Sequence, residues 1–208
     1  MTVTIPAQDL RSAEILGRAR NAFAEKGFDG ASMQDIARSA GMSVGNFYRY
    51  FPSKAAMVEA LITADMQEME RDFRQILTAA DPMAMLRQMI GLRLTDDVSC
   101  AQDGRVWAEI TAAAMRKPEI AALSMRMGQQ ITANMCAVFA RVTGLCERDA
   151  LERFQSHANF IVLMVKTAAM TPPENCPGHA ELMAHVQRTI DHTLNDVLAL
   201  TKGLSDAR

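Results

Sequence analysis

An all-helical fold is what this sequence predicts, and three observations carry the prediction. Apolar residues recur three and four positions apart through most of the 208 residues. Helix punctuation, with Ser or Asp starts and Gly or Pro stops, divides the chain at regular intervals. Almost no run alternates apolar and polar residues as a half-buried strand would. About nine helices result, arranged as an N-terminal three-helix domain over residues 1–54 and a larger C-terminal helical domain over 55–208.

The first helix is expected from Asp9 to Lys26, where Leu10, Ile15, Leu16, Ala19, Ala22 and Phe23 form its stripe and Gly27 stops it. Ser32 then opens Ser-x-x-Asp with Asp35, a capping-box variant, and Met33, Ile36, Ala37 and Ala40 give a short second helix. Gly41 breaks that helix and Ser43 caps the third, whose inward stripe is read as Val44, Phe47 and Phe51 before Pro52 ends it. Two short helices joined across a three-residue turn have the spacing of a helix-turn-helix. A long fourth helix follows from Ser53 to Ala79, then helices over Pro82–Leu94, Asp103–Arg116 and Pro118–Val142. The last two run from Arg148 to Met170 and from His179 to Leu200, separated by the breaks at Thr171-Pro172-Pro173 and Pro177-Gly178.

Composition narrows the function classes. With 49% apolar residues and no run of like charges, the chain can bury a core. Its longest nearly apolar stretch, Ala158 to Val165, is far short of the roughly 20 residues of a membrane span. The start, MTVTIPAQDL, lacks the basic and apolar segments of a signal peptide, so a cytoplasmic location is expected. Cys100, Cys136, Cys146 and Cys176 are widely spaced without a CxxC pair, and are read as reduced core thiols. His185 and His192 share a helix face but no carboxylate or thiol completes a metal set. Asp96-Asp97 has no nucleophile, base or phosphate loop beside it, so neither catalysis nor a cofactor is expected. Residues 1–54 hold seven Lys or Arg against five Asp or Glu, the rest fifteen against nineteen, which makes the front end the better anion binder.

The outward face of the third helix points to a partner. About 100° per residue leaves Gly45, Asn46, Arg49 and Tyr50 away from the core, with Tyr48 at the boundary. Asn pairs bidentately with adenine and Arg with guanine, Gly permits close approach, and Tyr or Ser hydroxyls reach phosphates. The candidate DNA contacts are Gln34, Ser43, Val44, Gly45, Asn46, Tyr48, Arg49 and Tyr50.

The stretch Ile15 to Met57, with Glu25-Lys26-Gly27-Phe28, Ala31-Ser32, Ile36-Ala37 and the unbroken run Gly41 to Met57, resembles the N-terminal domain of the TetR family of regulators almost position by position. The resemblance implies that Ser32 caps the second helix near a phosphate, that Ser43 to Tyr50 enters the major groove, and that Lys54 contacts the DNA backbone. It further implies a sequence-specific repressor of double-stranded operator DNA, released by a small apolar or amphipathic ligand; a ligand-dependent activator and a helical adaptor without DNA affinity are the alternatives.

Beyond Pro52 the reading rests again on pattern. Ala158 to Val165 is apolar nearly all round, so that helix must be covered on two sides. With the stripe Val186, Ile190, Val197 and Leu198 on the last helix it suits an intermolecular four-helix bundle, as in TetR relatives. The expected homodimer contacts are Phe160, Leu163, Met164, Ile190 and Val197. Sixteen methionines, many between Met83 and Met135, suit a remouldable apolar cavity. Its candidate lining is Met89, Trp107, Met125, Met135 and Phe139, with Glu109 and Gln129 or Gln130 as polar anchors.

Overall fold

The computed structural model describes residues 7–94, 98–171 and 176–205, the side chains of 7–11, 98–103 and 201–205 excepted. Among these residues the chain forms helices alone: α1 (Ala7–Gly30), α2 (Met33–Ser39), α3 (Val44–Tyr50), α4 (Lys54–Thr78), α5 (Pro82–Arg93), α6 (Val98–Ala114), α7 (Pro118–Thr143), α8 (Glu147–Ala169) and α9 (His179–Ser205). The all-helical expectation holds, and most predicted boundaries lie within a residue or two of the observed ones. The exceptions are the C-terminal ends of α1 and α9 and the start of α6, which begins at Val98 rather than Asp103. Asp96 and Asp97 lie outside the described residues, as does the side chain of Cys100.

Local chemistry accounts for the starts and stops. Gly27 breaks α1 with φ +73°, a value glycine adopts without strain, and a further helical turn continues to Gly30. Asp81 caps α5 by accepting from the Ala84 N–H at 2.9 Å, with Pro82 at the first helical position. Gly144, at φ +75°, ends α7. The α8 cap is unexpected: the Cys146 thiol accepts from the Asp149 N–H at 3.5 Å. Cys146 is therefore exposed at a helix start, which corrects its reading as a core thiol. Cys136 is buried, and burial pushes its thiol up to about 11. Cys176 is half-buried.

The chain divides into two compact units: residues through Asp65 together with Arg105–Met125, and Met66–Gly104 together with the chain from Arg126 onward. The first unit thus extends past the sequence boundary at residue 54 to include half of α4 and a segment of α6 and α7. Its interior holds Ile15, Ala19, Phe23, Ile36, Phe47, Met57, Val58, Leu61, Val106, Ile110 and Ile120, each at most 2% exposed.

In the second unit α8 packs on α9, and α5 on both. One continuous core joins Phe73 and Ile76 of α4, Leu86 and Ile90 of α5, Val138 and Phe139 of α7, Phe154, Ala158 and Ile161 of α8, and Val186, Ile190, Leu194 and Val197 of α9. Phe139 and Phe154 meet edge to face with centroids 6.0 Å apart. Gly104 is required where it stands: a Cβ there would lie 1.8 Å from the Ala169 carbonyl oxygen. Among the described residues no helix is long and apolar enough to cross a membrane.

Candidate nucleic-acid interface

The site is built on two helices of seven residues each, too short to persist alone. Their ends are accordingly fixed by specific bonds. The Ser32 hydroxyl accepts from the Asp35 N–H at 3.0 Å and donates to the Asp35 carboxylate at 2.7 Å, closing the predicted cap on α2. The Ser32 hydroxyl, then the nearby Lys26 ammonium, hold the Asp35 carboxyl below its ordinary range. At the other end Gly41 takes φ +64°, with its N–H donating to Arg38 O at 3.0 Å and the Met42 N–H to Ala37 O at 2.9 Å. These two bonds make a Schellman turn, which reverses the chain in three residues. Ser43 then caps α3 by accepting from the Asn46 N–H at 3.3 Å.

Beneath α3, Phe47 is fully buried and Phe51 nearly so, with ring centroids 6.0 Å apart. Val44 is 40% exposed, which corrects its assignment to the inward stripe: two phenylalanines four residues apart complete that seam, and the first turn stands clear of it. Ser43, Val44, Gly45, Asn46, Tyr48 and Arg49 consequently form one exposed face, and Gln34 is exposed on α2. Tyr50 is half-buried, not directed away from the core. Gly45 has a helical φ, and a Cβ built there meets nothing within 4 Å. A helical glycine costs about 0.5–1 kcal/mol relative to alanine, and among the described residues nothing crowds this position.

Lys54 is less available than its sequence position suggested. Its ammonium donates to the Phe28 and Asp29 carbonyls, each at 2.9 Å, and lies 5.5 Å from the Phe28 ring centroid. Two of its three donor hydrogens therefore cap the end of α1, a role invisible in sequence because the partners lie 25 and 26 residues back.

The remaining candidates are scattered. Trp107, half-buried, and Met125, 62% exposed, belong to the first unit, whereas Met89, Met135 and Phe139 belong to the second. Met125 points to solvent and so lines no enclosed cavity, a correction to that set; Met135 and Phe139 are core residues. Gln129 and Gln130 are exposed, with the Gln130 amide donating to Asn134 at 3.0 Å. Glu109 accepts from the Phe28 N–H at 2.9 Å instead of standing free as an anchor.

Among the dimer candidates, Phe160 and Leu163 are 38% and 60% exposed and Met164 is half-buried. Ile190 and Val197 are 0% exposed within one chain, so they are corrected to intramolecular core: α9 turns that stripe onto α5 and α8. The large apolar residues exposed on α9, among the described side chains, are Leu182 and Leu200. His185 accepts from the Arg188 guanidinium at 2.8 Å, and among the described residues no three His, Cys, Asp or Glu side chains are grouped to hold a metal.

Residues 15–61 match the family described as bacterial regulatory proteins, tetR family. The transcriptional regulator UidR of Escherichia coli K12 is 34% identical over 126 residues, 61% of this chain and 62% of that protein. The regulator BetI of Ectopseudomonas mendocina is 28% identical over 138 residues, 65% of this chain and 70% of that protein. The match thus spans about 62% of the length of the UidR relatives. Among solved structures, Salmonella enterica GusR superposes with a TM-score of 0.70 at 25% identity, covering 93% of this chain and 98% of that one. The capped α2, the Schellman turn and the exposed α3 face all lie inside the segment, residues 15–61, that matches the tetR family of bacterial regulatory proteins.

Proposed function

We propose that the chain is a homodimeric transcriptional repressor that reads double-stranded operator DNA through α2 and α3 and is released by a small apolar or amphipathic effector in the cytoplasm. The observation that carries the reading is the exposed face of α3, where Ser43, Val44, Gly45, Asn46, Tyr48 and Arg49 stand over a seam of buried Phe47 and Phe51. Arg49 suits a guanine edge and Asn46 an adenine edge, Val44 can meet a thymine methyl, and Gly45 lets the helix approach the groove wall. Gln34, Ser43 and Tyr48, all exposed, are the proposed phosphate contacts, with Ser32 capping the start of α2. The names of UidR and BetI as transcriptional regulators support this class of activity.

Phe160, Leu163 and Met164 of α8, with Leu182 and Leu200 of α9, are the apolar surface a second copy would cover, and a two-fold protein suits a near-palindromic operator. The effector reading rests on the match of residues 15–61 to the tetR family of regulators. To release DNA, the effector must favour a state in which the two α3 helices no longer match successive major grooves, because a ligand with equal affinity for both states shifts nothing.

The test is Arg49→Ala, measured on a duplex that the wild-type protein selects from a random-sequence pool. It should lose roughly 1–3 kcal/mol of affinity and relax preference at one base position per half-site. Unchanged affinity and unchanged base preference would remove α3 from the interface.

A further inference from the structure

The helix break at Gly27 leaves a backbone group that needs a partner. Gly27 takes φ +73° and ψ 167°, and its carbonyl accepts from the Ala31 N–H at 3.1 Å, so a new helical turn starts at Phe28. The first N–H of any helical turn has no partner within that turn. Phe28 is 3% exposed, too buried for water to serve its N–H freely. The acceptor arrives from α6: Glu109 Oε2 lies 2.9 Å from Phe28 N, across 81 residues of sequence. The fit leaves no slack, because a Cβ on Gly27 would lie 2.9 Å from the same oxygen.

The two residues held by Glu109 are fixed from other sides as well. The Lys54 ammonium takes the Phe28 and Asp29 carbonyls at 2.9 Å. Arg116 bonds the Asp29 carboxylate at 2.9 Å, and Lys117 lies 3.7 Å from it and 5.2 Å from the Phe28 ring centroid. Phe28 itself stacks on Phe23 of α1 at 5.6 Å. Ser32, the cap of α2, follows three residues after Asp29, so the placement of this turn sets where the reading helices begin.

We infer that Glu109 is a positioning residue for DNA reading: its carboxylate caps the Phe28 turn and thereby fixes the entry of α2 and α3, making the segment from Arg105 to Met125 a built part of the reading head. The inference rests on the DNA-reading function proposed above. It also separates geometry from charge. Removing a carboxylate from a protein that binds a polyanion should, by electrostatics alone, leave binding unchanged or tighten it. Loss of a positioning bond has the opposite sign.

The experiment compares Glu109→Ala, Glu109→Asp and Glu109→Gln in the full chain, by affinity for the duplex that the wild type selects and by hydrogen exchange at the Phe28 amide. Asp keeps the charge but is one methylene too short; Gln loses the charge but keeps an acceptor oxygen at full reach. Ala and Asp should each weaken binding by about tenfold, the scale of one buried N–H left without its acceptor, and speed Phe28 exchange by a similar factor. Gln should stay within about threefold of wild type in both readouts. Should Ala fail to fold, the Asp and Gln pair decides the matter. Wild-type binding and Phe28 protection in the Asp variant, or a Gln variant as weak as Asp, would overturn the inference. A wild-type protein that selects no duplex would overturn the DNA reading itself, and the exchange series would then report on the clamp alone.

Discussion

The α2–α3 pair and the α8–α9 pair are each two helices consecutive in the chain, yet they are specified in different ways. α2 and α3 have seven residues each, and their limits are set by neighbouring side chains: Ser32, Ser43, and the Gly41 turn. α8 and α9, of 23 and 27 residues, are specified by which side turns inward. Phe154, Ala158 and Ile161 face the core from α8, and Val186, Ile190, Leu194 and Val197 from α9, at three- and four-residue steps. Leu151, Phe160, Leu163, Leu182 and Leu200 remain exposed on the same two helices. Short helices carry their boundaries in local sequence; long apolar helices leave their orientation to the partner that covers them.

The substitutions expected to differ most divide the two faces of the long pair. Ile190→Glu places an unpaired carboxylate where the side chain is 0% exposed, at a cost of about 3–5 kcal/mol, a large share of a domain's stability. Urea denaturation should show a strongly lowered midpoint or no folded baseline. Leu163→Glu, at a position 60% exposed in the single chain, should leave the folded protomer intact and convert a dimer to a monomer at micromolar concentration in sedimentation. If Leu163→Glu unfolds the chain while Ile190→Glu does not, the inner and outer faces have been exchanged.

The same contrast explains how much was legible in the sequence. The Ser32 cap, the break at Gly27, the Gly41 turn and the buried Phe47 all depend on residues within a few positions of one another, and each stands where the pattern placed it. Val44 matches the stripe in sequence yet stands apart from it, because a valine at the first turn of a seven-residue helix fits the apolar period equally well whether or not anything covers it. Ile190 and Val197 fit an intermolecular seam equally well in sequence, because periodicity finds a stripe without saying which chain meets it. Lys54 and Glu109 had no local signal at all. Their partners are backbone atoms at Phe28 and Asp29, which present no side-chain pattern to pair with.

A smaller effect tests whether α2 depends on its boundary as argued. Ser32→Ala removes the acceptor from the Asp35 N–H and should cost about 1 kcal/mol, read as a shift in the urea midpoint at pH 7. An equal loss on replacing Ser32 with Gly would point elsewhere, since glycine at an N-cap costs only a few tenths. The α8 cap offers the matched control: Cys146 accepts through sulfur at 3.5 Å, so Cys146→Ala should cost less than Ser32→Ala.

The finest discrimination comes from acid. Asp35 is held below the ordinary carboxylate range first by the Ser32 hydroxyl and then by Lys26; Asp29 is held there first by its bond from Arg116, with Lys117 adding to the effect. For a group whose folded pKa is lowered, the unfolded chain binds more protons in the interval between the two values, so stability rises with pH there. The contribution is full above the unfolded value of about 3.9 and disappears as pH falls through the folded one. Ser32→Ala removes the larger cause at Asp35 and returns that carboxyl toward its ordinary titration. The difference between wild type and Ser32→Ala should therefore be greatest at neutral pH and narrow as the solution is taken from pH 5 to pH 3, whereas Arg116→Ala should do the same through Asp29. Urea midpoints measured across that interval check both. A Ser32→Ala penalty that stays constant down to pH 3 would mean that the cap acts on the helix backbone alone and that Asp35 takes no part in fixing the start of α2.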